Sequence, residues 1–441
     1  MKKYLISLCS FVFCVALILT GCATVGDVYV NGKLAYFDDI AYFEGQVAVV
    51  GDYLYYANGF TDITVDNFNY GASSKNTNLS RIKISSGLSY EKDVEDKQNT
   101  SPKGIESVSN KLVGYKNQYM FALGSYLYFT SANTHKTKDA ENDFSQVSIF
   151  RVKFNGDGQE ELGTFKHDDN SILRAVKDGN DFYYLITVPA NDSKTDVYSI
   201  KIGDNCEKAK KIVENAESVV LCDETSTVKN VIYTVDAEDF TDSTDCVKAV
   251  ALNGDSLDNL DNGVSGETIT LNGRVGDEIF YSRIHTAIKT EIYHKNIAGQ
   301  STSFASGRVI YNANKINQVT GVADGYMFIS DASKSVMYKG DFEKDAQCIL
   351  ESGEYTDVLF TDGEYIYYSN ATSISRVSVL TKEKQTLASM TAIISGQCGY
   401  DGEYVYYFAQ LENQDSTDAD TNYYMYRVDK EGNFALVGKT K

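Results

Sequence analysis

The feature that most restricts the fold of this chain is a phrase that returns. Residues 362–370 read "DGEYIYYSN", and 39 residues later 401–409 read "DGEYVYYFA". Related stretches run through the chain: "GDYLYYAN" (51–58), "GSYLYFTS" (124–131), "DGNDFYYLI" (178–186), "NVIYTV" (230–235), "GDEIFYS" (276–282) and "DGYMFIS" (324–330). Aligned on Tyr367, the equivalent positions are Tyr55, Tyr128, Tyr183, Ile232, Phe280, Phe328, Tyr367 and Tyr406. They lie 73, 55, 49, 48, 48, 39 and 39 residues apart. Recurrence at 20–50 residues marks a repeat architecture. The shortest intervals set the unit, and the longer ones carry insertions, of which 59–78, 91–114 and 132–146 are polar and read as surface loops.

Each unit holds more than the aromatic strand. A polar turn follows it, then a strand with a basic residue, as in "LSRIKIS" (79–85), "SIFRVKFNGDG" (148–158), "ISRVSVL" (374–380) and "YMYRVDKEGN" (424–433). An apolar strand precedes it, such as "GQVAVV" (45–50), joined through Asp-Gly or Gly-Asp, where glycine admits the positive φ of a tight hairpin turn. A short strand such as "QTLAS" (385–389) completes a unit of four. Only 206–220, "CEKAKKIVENAESVV", has a helix-like stretch, and it reads equally as an edge strand. Four-stranded units of about 40–50 residues predict an all-β fold, a β-propeller of four-stranded antiparallel blades. Eight units give eight blades; seven is the alternative, because the unit around Val231–Val235 lacks the glycine turn and the paired aromatics. Blades stacked on both sides explain why tyrosines stand at odd and even positions alike: both faces of an inner strand are then buried.

The phrases "DGEYIYYSN…SRVSVL" and "DGEYVYYFA…YMYRVDKEGN" resemble the repeats of a bacterial propeller family similar to the low-density lipoprotein receptor propeller. The eukaryotic repeats carry Tyr-Trp-Thr-Asp in this strand, whereas this chain has no tryptophan, so the resemblance implies a fold over most of 45–441 and no receptor ligand site. It also implies a secreted or lipid-anchored location.

The N-terminus points the same way. Lys2 and Lys3 precede a mostly apolar run of 15 residues, Leu5 to Leu19, and then Leu19-Thr20-Gly21-Cys22. The run is shorter than the ~20 residues of a spanning helix and has the layout of a secretory signal peptide. The tetrapeptide resembles the bacterial lipobox, which implies cleavage after Gly21 and acylation of Cys22, two acyl chains anchoring stably where one is marginal. The expected organisation is a lipoprotein signal peptide at 1–21, an anchor segment at 22–44 in which 27–37 is a candidate ring-closing strand, and the propeller at 45–441.

Removing 1–21 takes two lysines and no acid from 41 bases and 61 acids, leaving 39 against 61, a net charge of −22. So acidic a surface repels nucleic acid, which is excluded as a partner. Besides Cys22, the cleaved chain keeps Cys206, Cys222, Cys246, Cys348 and Cys398, an odd number without C-x-x-C spacing. Either one bridge forms among Cys206, Cys222 and Cys246, or all are free thiols. His135, His167, His285 and His294 have no zinc-site spacing, and no G-x-S-x-G elbow occurs. "GNFALVGKT" (432–440) has five residues between its glycines where a phosphate loop needs four. "DADTNYYMYRVD" (418–429) has calcium-loop spacing at Asp418, Asp420, Asn422 and Asp429, with Tyr423 where the loop needs glycine. No catalytic residue, metal or cofactor is assigned. The expectation is therefore a lipid-anchored extracytoplasmic propeller acting as a non-catalytic binding or assembly platform for a protein or glycan. The alternative is a carbohydrate-active hydrolase or lyase with its site at the channel mouth.

Overall fold

Short β-branched and aromatic runs between glycine turns fold here as antiparallel sheets, one after another along the chain. The computed structural model describes residues 25–43, 47–57, 62–65, 68–71, 78–90, 105–112, 120–131, 146–166, 168, 171–235, 246–257, 260, 268–286, 289–298, 308–312, 318–323, 326–330, 334–339, 347–351, 354–355, 357–362, 364–390, 392–410 and 424–437. Among them, eight successive sheets have strands in chain order. The first comprises Val47–Val50, Tyr53–Ala57, Asn78–Lys83 and Ile105–Leu112. The second comprises Met120–Gly124, Tyr126–Ser131, Gln146–Lys153 and Glu160–Lys166, and the third Leu173–Asp178, Asp181–Pro189, Thr195–Ile202 and Lys210–Ala216. The fourth has three strands, Ser218–Leu221, Asn230–Val235 and Cys246–Ala251, where the sequence repeat is weakest. The fifth runs from Thr268–Val275 to Arg308–Asn312, the sixth from Gln318–Ala323 to Gln347–Glu351, the seventh from Asp357–Thr361 to Lys384–Ser389, and the eighth from Ala392–Tyr400 to Phe434–Val437. The helix-like stretch is a strand, Lys210–Ala216.

First strands of neighbouring sheets touch one another, as Val47–Val50 touches Met120–Gly124 and Thr268–Val275 touches both Ser218–Leu221 and Gln318–Ala323. The first strands therefore converge and the fourth strands lie outermost, which is the arrangement of a β-propeller. Consecutive side chains then enter different cores. Tyr55 packs with Phe129, Phe150 and Val152 of the second sheet, whereas Leu54 and Tyr56 pack with Tyr406, Met425 and Val437 of the eighth. That shared cluster joins the two ends of the chain.

The segment 27–37 does not pair with the last sheet. Asn31 and Gly32 both have positive φ, 51° and 76°, and close Tyr29–Val30 and Lys33–Leu34 into a hairpin of their own. Asn-Gly is the strongest short hairpin signal, because both central residues of this turn need φ above zero. The strand added to the outer edge of the eighth sheet is Leu88–Tyr90, pairing with Ala435–Val437.

Two devices recur along the repeat, and in the first two sheets they tie one sheet to the next. The first is the cross-strand pair at the repeat's reference position. Tyr55 faces Arg81, Tyr128 faces Arg151, Tyr367 faces Arg376 and Tyr406 faces Arg427. Where that tyrosine is Ile232, Phe280 or Phe328, the partner is Ala249, His294 or Met337. Each arginine also stacks on the tyrosine two residues earlier, with Arg81, Arg151, Arg376 and Arg427 at 4.2, 4.3, 3.9 and 3.9 Å from the ring centroids of Tyr53, Tyr126, Tyr365 and Tyr404. In the first sheet the Tyr55 hydroxyl donates to the Phe154 carbonyl of the second at 2.7 Å, and Arg81 Nη1 donates to the same oxygen at 3.0 Å. Burial pushes the Tyr55 phenol up to about 12 despite Arg81, so it is a donor at every physiological pH. In the second sheet Tyr128 donates to Gly203 of the third at 3.4 Å, and Arg151 to Asp204 at 3.2 Å. The last two sheets use their Asp-Gly turn instead. Asp362 accepts the Glu364 and Tyr365 amides and the Tyr367 hydroxyl, and Asp401 does the same for Glu403, Tyr404 and Tyr406. That is why the phrase repeats almost letter for letter.

The second device is the turn after the third strand. Gly156, Gly254 and Gly432 take φ of 86°, 87° and 89° and lie against the preceding sheet's last strand. A Cβ at Gly156 would stand 3.0 Å from the Val108 carbonyl, and one at Gly432 3.2 Å from that of Leu387. We expect Gly179→Ala (φ 61°, open space around it) to cost about 1–2 kcal/mol, the left-handed backbone term alone. Gly156→Ala should cost roughly 1–3 kcal/mol more, because a carbonyl must also move; urea unfolding of both variants checks the order. Arg81→Met should cost about 1–3 kcal/mol, since it leaves the Gly26 carbonyl without its donor and the Phe154 carbonyl with one fewer. Tyr53→Phe, which keeps the ring, should shift the same melt very little.

Candidate functional site

The inner edge of the second sheet is not bare. Phe37–Phe43 pairs with its first strand, Phe43 opposite Met120, Ala41 opposite Ala122 and Phe37 opposite Gly124. It also contacts the first strands of the first and third sheets, so it lies on the side where the first strands converge. Between Ala41 and Phe37 the register slips: Asp38, Asp39 and Ile40 face the single residue Leu123. Phe37 and Ala41 anchor this strand to the core between sheets one and two, and Ile40 anchors it to the core between two and three. The two carboxylates interrupt the apolar run "YFDDIAYF" and cannot follow it inward, so the strand bulges.

A bulge re-aims side chains, and such distortions gather beside active sites. Here Lys177 Nζ, from the third sheet's first strand, donates to Asp39 Oδ2 at 2.6 Å, and the Ile40 amide donates to Oδ1 at 2.8 Å. Partial burial pushes the Asp39 carboxyl up, but the bonds from Lys177 and Ile40 and the lysine's charge outweigh it. The net shift is downward, and Asp39 is ionised at neutral pH. Its side chain is 59% exposed and that of Lys177 42%, so the pair contributes at most ~1 kcal/mol to stability. Its consequence is positional: a fixed anion and a cation stand near the first-to-second-strand turns where the sheets converge, and Asp38, next in the chain, is exposed.

A second polar cluster, between sheets four and five, has its groups spent on structure. Asp223 accepts the Gly276 amide at 2.9 Å, the Ser226 amide at 2.9 Å and the Thr225 hydroxyl at 2.7 Å. Asp277 accepts the Thr227 and Val228 amides, and Arg274 donates to the carbonyls of Gly276 and Asn230. Burial raises the Asp223 carboxyl, yet these donors bring it below its ordinary value of 3.8. A folded-state value below the unfolded one stabilises the protein above pH 4 and loses that contribution as pH falls through the folded value. Acid unfolding followed in urea should therefore steepen below about pH 4, and Asp223→Asn should flatten that loss while lowering stability at pH 7.

The residues singled out in the sequence fall elsewhere. Cys22, the 1–21 leader, His135, His167, Asp418, Asp420, Asn422 and Tyr423 lie outside the described residues. His285 and His294 lie in the second and third strands of the fifth sheet, with His294 opposite Phe280. Cys206 and Cys222 are free thiols, which removes the Cys206–Cys222 bridge and leaves Cys246 with neither partner. Asp429 accepts the Glu431 and Asn433 amides in a turn after a strand. Phe434–Val437, inside the near-miss phosphate loop, is a strand. The bulge itself was not foreseen; its signal is the Asp-Asp pair inside an otherwise apolar strand.

No protein-family model and no curated protein matches the chain. Solved structures share its fold. A puromycin-hydrolyzing peptidase of Mycobacterium tuberculosis is 12% identical with a TM-score of 0.42, over 72% of this chain and 52% of that one. A prolyl endopeptidase is 12% identical with a TM-score of 0.46, over 90% and 56%. The β-propeller domain of the Trilobed protease from Pyrococcus furiosus, described as having an open velcro topology, is 9% identical with a TM-score of 0.37, over 90% and 98%. The chain spans about half the length of the first two. Likeness at this level says nothing of activity. One expectation is withdrawn: the solved structures that align with this chain are peptidases, against the non-catalytic platform.

Proposed function

We propose that this chain is an eight-bladed, closed propeller, acylated at Cys22 and held outside the cytoplasmic membrane, that hydrolyses a polymeric substrate at the channel end marked by Asp38 and Asp39. The observation that carries the reading is the bulged inner-edge strand, which gathers two carboxylates and Lys177 at one end of the channel. Glycan is the substrate class this chemistry favours. Glycoside hydrolysis needs a pair of carboxyl groups and no further cofactor, whereas the sequence lacks the nucleophile elbow of the common serine hydrolases. Asp39, kept ionised by Lys177 and the Ile40 amide, is suited to stabilising positive charge that develops on a sugar ring. Asp38, exposed beside it, is the second carboxylate of the proposed pair. Location follows from the Leu-Thr-Gly-Cys resemblance, and the net charge of −22 after cleavage favours a polysaccharide over a nucleic acid.

The test is turnover by purified full-length protein on a panel of envelope and plant polysaccharides, with peptides in parallel, for the native chain, Asp38→Asn and Asp39→Asn. General acid–base catalysis supplies about 10²–10⁴-fold, so glycan cleavage should fall by that factor in Asp38→Asn while the urea midpoint stays put. Cleavage of peptides alone, turnover equal to the native chain's in both variants, or no turnover of any polymer would end the proposal.

A further inference from the structure

The hairpin at the start of the described chain carries an apolar face that the described part of the propeller leaves more than half exposed, touching only the Tyr36 ring edge at Gly124. Its inward side is buried, Val28 at 3% and Ala35 at 5%, with the Ala35 amide donating to the Val28 carbonyl. Its outward side shows Tyr29 at 57%, Leu34 at 60% and Tyr36 at 58% exposure. Tyr29 and Leu34 are direct cross-strand partners, and Tyr36 follows Leu34 by two residues, so the three side chains share one face.

The hairpin's position is fixed at its base. Arg81 Nη2 donates to the Gly26 carbonyl at 2.7 Å, and Asn155 Nδ2 donates to Asp27 at 2.9 Å. Gly51 and Gly124, in the first-to-second-strand turns of sheets one and two, lie against Tyr29 and Tyr36. The hairpin therefore caps the propeller face that bears those turns. Cys22 stands four residues before Gly26, and four extended residues reach at most about 14 Å.

We infer that Tyr29, Leu34 and Tyr36 form a bilayer contact, seating this face of the propeller on the surface of the membrane that holds the acyl chains of Cys22. The inference rests on the lipid-anchor part of the proposed function. An acyl group on Cys22 has to lie in the hydrocarbon, so a point 14 Å away cannot leave the interfacial zone by much. Tyrosine is enriched there because its ring is apolar and its hydroxyl is wet, and leucine beside it gains by leaving water. The contact does not have to hold the protein to the membrane unaided. The lipid supplies a high effective concentration, and a weak apolar contact then suffices to set orientation. The acidic surface argues for zwitterionic headgroups as the surface met.

The chain has no tryptophan, so a single introduced one reports its own surroundings alone. Leu34→Trp places it on the proposed face. Ile172→Trp, at a position 42% exposed just before the third sheet's first strand, places it on the opposite face. The full-length lipoprotein is expressed in a bacterial host, its mature N-terminus is read by intact mass, and it is reconstituted in phosphatidylcholine vesicles with brominated acyl chains. The expected result is an acylated protein whose Leu34→Trp emission is blue-shifted and lost to the bromine, while Ile172→Trp emission is retained. An acylated protein with Leu34→Trp unquenched, or with both reporters quenched alike, overturns the contact and leaves the lipoprotein reading standing. A mature chain without acyl groups overturns both.

Discussion

The structure depends on a tyrosine and an arginine facing each other across two strands. A sheet buried on both faces has no solvent to satisfy polar groups, and the carbonyls that close the third-to-fourth turns of the next sheet need donors. Tyr55 with Arg81 and Tyr128 with Arg151 bring the donors from inside the preceding sheet. The arginine remains charged in a dry setting because a tyrosine ring lies under it and Glu106 or Glu160 accepts from its Nε at 2.8 Å. An arginine without the tyrosine would lose a partner, and a tyrosine without the arginine would leave a carbonyl half satisfied. Where Ile232 or Phe328 replaces the tyrosine, Ala249 or Met337 faces it; in the third sheet Tyr183 faces Lys201, and in the fifth Phe280 faces His294.

The same logic explains how much of the fold the sequence made legible. Position in the repeat dictates chemistry so strongly that aligning on one tyrosine located all eight second strands, including the weak Asn230–Val235. The turn glycines were legible for the same reason, since only their backbone meets the demand. What escaped was whatever departs from the repeat. Leu88–Tyr90 leaves the first sheet to pair with the eighth, and three residues carry no periodic signal. Residues 27–37 read as one strand because their apolar content was weighed above Asn31-Gly32, whose turn chemistry decided the outcome. Long-range pairing of Phe37–Phe43 with Met120–Gly124 joins segments about eighty residues apart, and local pattern is blind to it.

The candidate site was illegible for a related reason. With 61 acids, a carboxylate is uninformative until its surroundings are known. Asp362, Asp401 and Asp429 are spent on turns, and Asp223 and Asp277 on a buried cluster. Elimination of that kind needs coordinates. Once it is done, Asp38 and Asp39 differ in kind: they stand in a strand, at a register slip, on the side where the sheets converge.

Those two residues also lie between the channel and the outward hairpin, and this links the two readings. The chain passes from Gly26 through the hairpin to the bulge in a dozen residues, fixed at Gly26 by Arg81 and at Asp39 by Lys177. A propeller seated by Tyr29, Leu34 and Tyr36 would hold the Asp39 end of its channel toward the membrane. Substrate bound for the carboxylates would have to traverse the channel or approach along the bilayer. The inner-edge strand narrows the first route, because Phe37–Phe43 occupies space that bare first strands would leave open. On the proposed reading, that narrowing would suit a slender, extended chain rather than a branched or globular one.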